Sequence, residues 1–245
     1  MPEPARGGDA YDERVTARYL THRHAGPSSP NTVMEEPAVL DQLGDVSGLR
    51  ILDLGCGDGS FAPTVLARGA ASYVGVDGSQ SMVRTARDTI EDPAAAFQLC
   101  SIEDFEAPAG SFDLVTSRMA LHYVADLAAV LRTIRRVLTA DGRLIFTVVH
   151  PVITSHDDLS PGPRTTWTVD RYFEPGPRLR TWFGQQVTWH HRTMETYLRA
   201  LHDTGFSLDM LSECEPRPSL LADDADELTR RRRVPLMLLL AGSCI

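Results

Sequence analysis

The stretch Arg50-Ile-Leu-Asp-Leu-Gly-Cys-Gly-Asp-Gly59 decides how this chain folds. Its first half is an apolar run typical of a strand, and its second half has glycine at every second position. Such glycines let the backbone turn sharply and let a ligand approach the main chain closely. The spacing Gly-x-Gly-x-Gly differs by one residue from the Gly-x-Gly-x-x-Gly fingerprint of dinucleotide sites, which aims a helix N-terminus at a pyrophosphate. The stretch therefore predicts a strand, a ligand-binding loop and a following helix.

A carboxylate ends the next apolar run, Tyr73-Val-Gly-Val-Asp77, 22 residues after Gly55. In a strand-helix-strand unit this spacing brings Asp77 beside the glycine-rich loop, where its oxygens can accept hydrogen bonds from two ribose hydroxyls. The loop and Asp77 together indicate a nucleoside-containing ligand more specifically than either does alone.

Short apolar runs alternate with amphipathic segments across residues 49–149, a pattern typical of a parallel sheet covered by helices. The predicted strands are 50–54, 73–77, 96–100, 112–117 and 143–149, followed downstream by 206–211 and 234–240. The predicted helices include 79–90, 126–138 and 193–201, and Asp141-Gly142 is predicted to turn the chain into the fifth strand. The fold class is therefore α/β.

The segment from Ile51 to Val149 resembles the core of the class I S-adenosylmethionine-dependent methyltransferases, over about 100 of the 245 residues. The resemblance implies a Rossmann-like three-layer sandwich with a mostly parallel seven-stranded sheet and an antiparallel last strand. It also implies S-adenosyl-L-methionine as cofactor and S-adenosyl-L-homocysteine as product. The chain also resembles bacterial, actinomycete-type methyltransferases of small molecules and natural products.

Within that family Asp53 would meet the methionine ammonium, Gly55 and its neighbours would face the methionine and ribose, and Asp77 would hold the ribose. Met82 would pack near the adenine, although core packing alone is an equal alternative. The cofactor-binding residues predicted on this basis are Tyr11, Tyr19, Asp53, Gly55, Cys56, Gly57, Asp77, Gly78, Met82, Ser101, Ile102, Glu103, Ser117 and Arg118.

Methyl transfer requires an aligned nucleophile, and a general base assists if a proton is lost. The catalytic candidates are His122 after the fourth strand, His150 after the fifth, and Tyr19; a structural role is the alternative for each histidine. All three tryptophans fall between residues 150 and 190, where they predict either an aromatic wall for a flat or cationic acceptor or a small local core. The predicted acceptor-binding residues are Met119, Trp167, Trp182 and His191, with His190 and His191 placed at the start of a helix.

Two segments lie outside the alternating pattern. Residues 1–47 are predicted to form an N-terminal helical lid, in which Tyr11, Val15 and Tyr19 share one face of a helix over 9–22; a helix merely docked on the core is the alternative. Residues 150–190 are predicted to be an acceptor-side insert in the methyltransferase domain, which spans 48–245.

The net charge, the apolar runs and the cysteine spacing argue against several classes of protein. The formal charge of −9 argues against nucleic acid as a partner, because phosphate-backbone binders present a basic face. No apolar run resembles a signal peptide or reaches the roughly 20 residues of a membrane span, so a cytoplasmic protein without a membrane partner is expected. The four cysteines show no metal-site spacing, and no metal is predicted. A homo-oligomer is compatible with the sequence.

The predicted function is methyl transfer to a small acceptor, at an indole carbon, a phenol oxygen or an amine nitrogen, in natural-product biosynthesis of a bacterium. A non-catalytic S-adenosylmethionine-binding or scaffold protein is the alternative. A nicotinamide oxidoreductase does not fit the glycine spacing, and a nucleic-acid adenine methyltransferase does not fit Ser117-Arg118-Met119-Ala120 after the fourth strand. Metal-assisted catechol methylation would need a carboxylate cluster that the sequence does not show.

Overall fold

The computed structural model describes residues 12–24, 29–155 and 166–245. Nine strands lie within these ranges. They are β1 (Arg50–Leu54), β2 (Ser72–Asp77), β3 (Ala95–Leu99), β4 (Phe112–Arg118), β5 (Leu138–Val149), β6 (Gly176–Trp182), β7 (Gln185–His191), β8 (Phe206–Glu213) and β9 (Met237–Cys244).

The helices of the described residues are mostly short. They are α1 (Glu13–His24), a π-helical turn (Asn31–Glu35) that leads directly into α2 (Glu36–Leu43), α3 (Ala62–Leu66), α4 (Gln80–Thr89), α5 (Leu127–Val137), α6 (Pro151–Thr154), α7 (Met194–Asp203), a 3₁₀ turn (Pro218–Leu220) and α8 (Ala225–Arg231). None of these helices is long and apolar enough to cross a membrane.

Seven strands form one sheet in the order β3-β2-β1-β4-β5-β9-β8. The pairs among β1 to β5 are parallel, whereas β9 runs antiparallel to both of its neighbours. The strand order reverses at β1, so the loops after β1 and β4 leave the sheet side by side, where ligands bind in such folds. The predicted fold class is confirmed: a Rossmann-like, mostly parallel seven-stranded sheet with an antiparallel last strand.

The sheet has a hydrophobic core on each face, which makes the fold a three-layer sandwich. On one face the apolar stripe of α5 packs with α7 against Leu52, Val115 and Leu144. On the other, α2, α3 and the π-helical turn cover Ile51, Tyr73 and other residues. Asp126 caps α5 by accepting a hydrogen bond from the Ala129 N–H, so this helix begins one residue later than predicted.

Two strands, β5 and β9, begin more than one residue away from their predicted starts. Strand β5 begins at Leu138 and contains Asp141-Gly142, which were predicted to form a turn; its pairing with β4 shifts register at this point instead. Strand β9 begins at Met237, not at 234, and extends to Cys244. Pro235 explains the late start because it has no N–H to donate to a ladder.

The hairpin β6–β7 was not predicted. It is a separate two-stranded sheet, closed by the two residues Phe183 and Gly184 with φ of 48° and 85°. Positive φ at both positions is the geometry of a type I′ turn, in which Asn-Gly is the usual signal; a phenylalanine at the first position hides it. His190 and His191 end β7 and do not start a helix, which corrects their predicted position.

Candidate active site

The loop after β1 turns through glycines with left-handed backbone. Gly55 and Gly57 have φ of 78° and 57°, and the N–H groups of Gly55 and Cys56 both donate to the Val76 carbonyl, at 2.7 and 3.0 Å. A Cβ at Gly55 would lie 2.3 Å from the Ala120 Cβ, so the loop touches the segment after β4. A Cβ at Gly57 would have no described atom within 4 Å. The loop thus leaves room for a ligand at Gly57.

Asp77 lies beside the loop, as its spacing predicts. Its carboxylate accepts hydrogen bonds from the N–H groups of Gly57, at 2.9 Å, and Ser79, at 2.8 Å, one on each oxygen. Burial raises the pKa of Asp77, while these two N–H donors lower it. The carboxylate therefore fixes the loop, and Asp77 as a residue is half-buried.

Asp53 is 2% exposed at the end of β1. Its carboxylate accepts hydrogen bonds from the Tyr73 hydroxyl at 2.5 Å and the Thr116 hydroxyl at 2.9 Å. Burial, followed by the charge of Asp53, raises the pKa of Tyr73, which keeps that phenol protonated as a donor. Asp53 thus joins three neighbouring strands beneath the loop, a role that the sequence did not reveal.

Cys56 and the first turn of α4 complete the half of the site that surrounds the glycine-rich loop, here called the donor half. Burial, then the charges of Asp77 and Asp53, raises the pKa of the Cys56 thiol, and its Sγ would be 2.8 Å from a Cβ at Gly75. Cys56 therefore fills space against the sheet while its backbone shapes the loop. Ser79 caps α4 by accepting a hydrogen bond from the N–H of Met82, which is buried. Gly78 is the half-buried link before that cap.

The three residues predicted at the adenine edge have different surroundings. Ile102 lies near the loop, with its Cδ1 3.5 Å from a Cβ built at Gly55. Ser101 donates to the Asp104 carboxylate at 2.7 Å, and Glu103 is exposed. Of the three, Ile102 has the contact with the glycine-rich loop.

A buried ion pair supports the end of β4. Arg118 donates to both carboxylate oxygens of Glu35, at 3.0 and 2.5 Å, and its guanidinium lies over the Phe61 ring. Burial alone would lower the pKa of Arg118, but the Glu35 charge and hydrogen bonds raise it. Ser117 is also buried and donates to the Leu54 carbonyl at 2.7 Å, which ties β4 to β1.

The Glu35 network continues to the first residue after β4. Thr147 donates to Glu35 at 2.9 Å and accepts a hydrogen bond from the Met119 N–H at 3.0 Å. Met119 has φ of 53°, which is uncommon for a residue other than glycine. Its N–H also donates to the Thr147 carbonyl. The turn at Met119 is thus held by a carboxylate from the N-terminal segment.

We expect Glu35→Gln to lower the free energy of unfolding by about 2 kcal/mol, because Arg118 would be left buried with a neutral partner. Glu36→Gln is the matched control, since Glu36 lies 3.7 Å from Arg118 and is 43% exposed. Urea unfolding of both variants measures the difference. Equal, small losses in the two variants would show that the buried pair does not support this turn.

Apolar and aromatic side chains gather at the carboxyl ends of β4 and β5. The buried members of this cluster are Val149, Ile153, Val187 and Trp189, and the partly buried ones include Met119, Tyr123, Trp167 and Trp182. The hairpin contributes Trp182 and Trp189, whose rings lie 6.0 Å apart. Three of the four predicted acceptor-side residues, Met119, Trp167 and Trp182, are therefore brought together here.

His122 is 2% exposed in the segment after β4. Its ring lies 5.5 Å from that of Trp189 in an edge arrangement, and its Nδ1 has no hydrogen-bond partner among the described residues. Burial and the charge of Arg192 lower the pKa of His122 to about 3. The imidazole is neutral near pH 7 and is a weak base in this structure.

The lowered pKa of His122 predicts that the folded protein loses stability in acid. The pKa of His122 falls from 6.5 to about 3 on folding, so the stability from keeping it neutral is fully present above pH 6.5 and is lost as the pH falls towards 3. Between pH 7.5 and 5.0 the loss amounts to about 2 kcal/mol. We expect His122→Gln to remove that part of the pH dependence in urea unfolding. An unchanged pH dependence in the variant would contradict the shift.

His150 and His191, the other two histidines predicted in the site, have hydrogen-bond partners on both ring nitrogens. The Nδ1 of His150 accepts a hydrogen bond from the Val152 N–H at 3.1 Å, and its Nε2 lies 3.0 Å from Glu213. His150 thus caps α6 and faces β8 with its other nitrogen. His191 is fully buried between the Thr154 hydroxyl, at 2.6 Å, and the Tyr172 carbonyl, at 2.8 Å. In this geometry neither ring has a nitrogen left for an acceptor.

Helix α1 connects the two halves of the site. Thr16 shares a 2.6 Å hydrogen bond with Ser81 of α4. Tyr19 packs edge-on against Phe183 at the hairpin tip, with ring centroids 6.0 Å apart, and Arg18 donates to the Phe183 carbonyl. Tyr11 lies outside the described residues. The arrangement fits the predicted lid, which stays a prediction.

No group of three or more His, Cys, Asp or Glu side chains within the described ranges could hold a metal ion. What the described site offers is a glycine-rich loop with carboxylates on the donor side and an apolar, aromatic cluster on the acceptor side. The fold and this site define an α/β protein whose glycine-rich loop suits a nucleoside-containing ligand beside an apolar, aromatic cluster.

Comparisons with known proteins narrow this class. Residues 52–146 match the family model described as a methyltransferase domain. The chain is 32% identical to an S-adenosylmethionine-dependent methyltransferase of known structure from Mesorhizobium loti, with a TM-score of 0.80 over 89% of this chain and 100% of that one. It is 33% identical to an uncharacterized protein of Haemophilus influenzae over 83% of this chain and 85% of that protein.

A more distant relative has a named reaction. The chain is 32% identical over 117 residues to a ubiquinone biosynthesis O-methyltransferase of Neisseria meningitidis, and the match covers 45% of this chain and 48% of that protein. The chain thus spans about half the length of this relative. Taken with the fold, the closer similarities show that the chain belongs to the S-adenosylmethionine-dependent methyltransferases and uses S-adenosylmethionine as cofactor.

Proposed function

We propose that this enzyme transfers the methyl group of S-adenosylmethionine to a small molecule with a flat apolar part, bound in the aromatic cluster under the β6–β7 hairpin. The observation that carries the proposal is the contact between the two halves of the site. Gly55 of the loop abuts Ala120, and the next residues, Leu121 to Tyr123, lead into the cluster that contains Trp189. A donor and an acceptor bound on the two sides would thus be neighbours.

The donor side fits the cofactor chemically. Gly57 faces open space, and Asp77 presents a carboxylate that can accept hydrogen bonds from ribose hydroxyls. Asp53, Asp58 and Asp77 give this side negative charge, which suits a ligand with ammonium and sulfonium groups. When bound, S-adenosylmethionine supplies an electrophilic methyl group. The residues proposed to hold it are Asp53, Gly55, Gly57, Asp77, Met82 and Ile102.

The chain's own residues contribute mainly alignment. The Glu35 network holds the turn at Met119, and the hairpin excludes water by covering the cluster. Alignment of this kind can contribute about 7 to 11 kcal/mol, so a dedicated base is not required. The low pKa of His122 and the occupied nitrogens of His150 favour an acceptor that loses its proton readily, such as a phenol.

A phenol oxygen is therefore the acceptor atom that we favour over an indole carbon or an amine nitrogen. The relative that is a ubiquinone biosynthesis O-methyltransferase supports oxygen as the methylated atom. The cationic acceptor that an aromatic wall also allows is less favoured, because Arg192 adds positive charge beside His122.

The test is methyl transfer from radiolabelled S-adenosylmethionine to matched sets of phenols, indoles and amines. We expect a methylated phenol and a stoichiometric amount of S-adenosylhomocysteine. Arg199→Gln is a suitable control, because Arg199 lies on α7 in an exposed pair with Glu195 and should leave the rate unchanged. Saturable cofactor binding without product on any set would favour the non-catalytic alternative.

A further inference from the structure

The middle of strand β6 has polar side chains on its buried face and an apolar side chain on its exposed face. Arg178 and Arg180 are only 7% and 5% exposed, whereas Leu179 between them is 64% exposed. Successive side chains of a strand point to opposite faces, and a hairpin covering a core ordinarily turns its apolar face inward. Departures from such patterning concentrate at functional sites. The inward arginines therefore need a physical reason.

The pairing of β6 with β7 shows which side chains lie beside these arginines. Arg178 pairs with Trp189, and His191 lies opposite Gly176, so the side chains of Arg178, Trp189 and His191 share one face of the hairpin. Trp189 on this face belongs to the aromatic cluster at the carboxyl ends of β4 and β5. The inner face of the hairpin thus turns Arg178 towards the acceptor side of the site.

Two of the buried guanidiniums have only neutral hydrogen-bond partners within residues 12–24, 29–155 and 166–245. Arg178 donates to the carbonyls of Pro177, Arg171 and Glu174. Arg192, also 7% exposed, donates to the carbonyls of Val124, Ala125 and His190. Neither has a carboxylate partner among the described residues, and the side chain of Glu174 pairs with Arg171. A buried charge without a counter-charge is costly, which favours an anion from outside the chain.

The positive charge extends over the acceptor side. Burial lowers the pKa of His191, and Arg178, Arg180 and Arg192 lower it further. Arg192 does the same to His122. The charges that act on these two histidines are thus positive, whereas the carboxylates around the glycine-rich loop are negative.

Unpartnered nitrogens lie in the same region. The Nε of Arg178, the Nε1 of Trp189 and the Nδ1 of His122 are buried and have no hydrogen-bond partner in the part of the chain that the structure describes. His122 and Trp189 are in ring contact at 5.5 Å. Buried donors without partners are rare in folded proteins, and a bound ligand is one explanation.

We infer that the acceptor carries an anionic oxygen group, a carboxylate or a phosphate, which binds between the inner face of the hairpin and the segment after β4. Arg178 and Arg192 supply the counter-charge, and the Trp189 Nε1–H donates to the anion. The inference rests on the proposed function and deepens it, since it names the chemical class of the acceptor. Arg178 and Trp189 then determine specificity.

The test compares acceptors that differ only in charge. Initial rates are measured for a hydroxybenzoate, for the corresponding hydroxybenzamide, and for a phenol that carries a phosphate ester. We expect kcat/KM for one of the two anions to exceed that for the amide by at least about 10-fold. The better anion distinguishes a carboxylate site from a phosphate site.

Variants of Arg178 test whether the preference for an anionic acceptor comes from the hairpin. Arg178→Gln is expected to raise KM for the anion by about 10- to 100-fold, with little change for the amide. Arg178→Lys should restore part of the preference, and Arg199→Gln should change nothing. An Arg178→Gln variant that melts earlier but keeps the wild-type ratio of anion to amide would overturn the inference and leave Arg178 as a support for backbone carbonyls.

A binding measurement separates this inference from the proposed function. Tryptophan fluorescence is titrated with benzoate, benzamide and inorganic phosphate in the full chain, with Trp189→Phe for comparison. Tighter binding of an anion than of benzamide, lost in Arg178→Gln, supports the inference even if no phenol is methylated. Equal binding of benzoate and benzamide together with no binding of phosphate would overturn it, whatever the outcome of the transfer assay.

Discussion

Replacing Gly55 by alanine is expected to lower the free energy of unfolding by about 2 to 5 kcal/mol. The left-handed backbone contributes about 1 to 2 kcal/mol, because φ is 78°. Overpacking contributes about 1 to 3 kcal/mol more, because the new Cβ would lie 2.3 Å from the Ala120 Cβ. Urea unfolding at pH 7.5, where the buried histidines are neutral, measures the loss.

Two variants separate the backbone strain from the clash. Gly48 has nearly the same φ, 74°, and no described atom within 4 Å of a Cβ, so Gly48→Ala should lose only about 1 to 2 kcal/mol. The double variant Gly55→Ala/Ala120→Gly removes the clashing Cβ and should regain most of the difference. If Gly55→Ala is no less stable than Gly48→Ala, the loop does not touch the segment after β4 as described.

Replacing Asp77 by asparagine is expected to weaken S-adenosylmethionine binding on the order of 100-fold. Asp77 orders the loop through the N–H groups of Gly57 and Ser79, and its carboxylate is the proposed acceptor for the ribose hydroxyls. Hydrogen bonds to a charged group contribute about 1.5 to 3 kcal/mol each, so losing one or two gives this magnitude. Isothermal titration calorimetry measures the change.

Asp88→Asn is the matched control for Asp77→Asn. Asp88 is exposed near the end of α4, so the same change in charge occurs at a distance from the loop. We expect its cofactor affinity to equal that of the wild type within twofold to threefold. A similar loss in both variants would attribute the effect to net charge, and no loss in Asp77→Asn would remove Asp77 from the cofactor site.

The sheet and the donor half were predictable because their signals are local. Each buried parallel strand is a short apolar run, and the alternating glycines and Asp77 have fixed spacings in sequence. The structure places Asp77 2.9 Å from the loop, as that spacing predicts. Strand ends were less predictable, because an interior residue such as Gly142 can lie in a register shift as well as in a turn.

The acceptor half was less predictable because its contacts join distant parts of the chain. Glu35 meets Arg118 and Thr147 across 83 and 112 residues, and no periodicity in sequence indicates such a contact. The hairpin was missed because Phe183 replaces the usual turn residue and because its arginines point inward. His150 was placed correctly after the fifth strand, whereas His191 ends β7 and does not start a helix. Only the structure shows that both rings are already hydrogen-bonded.

The measurement that tests the central claim most directly is a calorimetric titration of S-adenosylmethionine into Gly57→Ala, beside Gly48→Ala. Both glycines have left-handed backbone and open space around a Cβ, so the two variants should be equally stable. The added methyl group at Gly57 points into the space assigned to the cofactor. We predict a loss of affinity of at least about 10-fold in Gly57→Ala alone. Wild-type affinity in a folded Gly57→Ala would contradict the assignment of the loop as the site that holds S-adenosylmethionine.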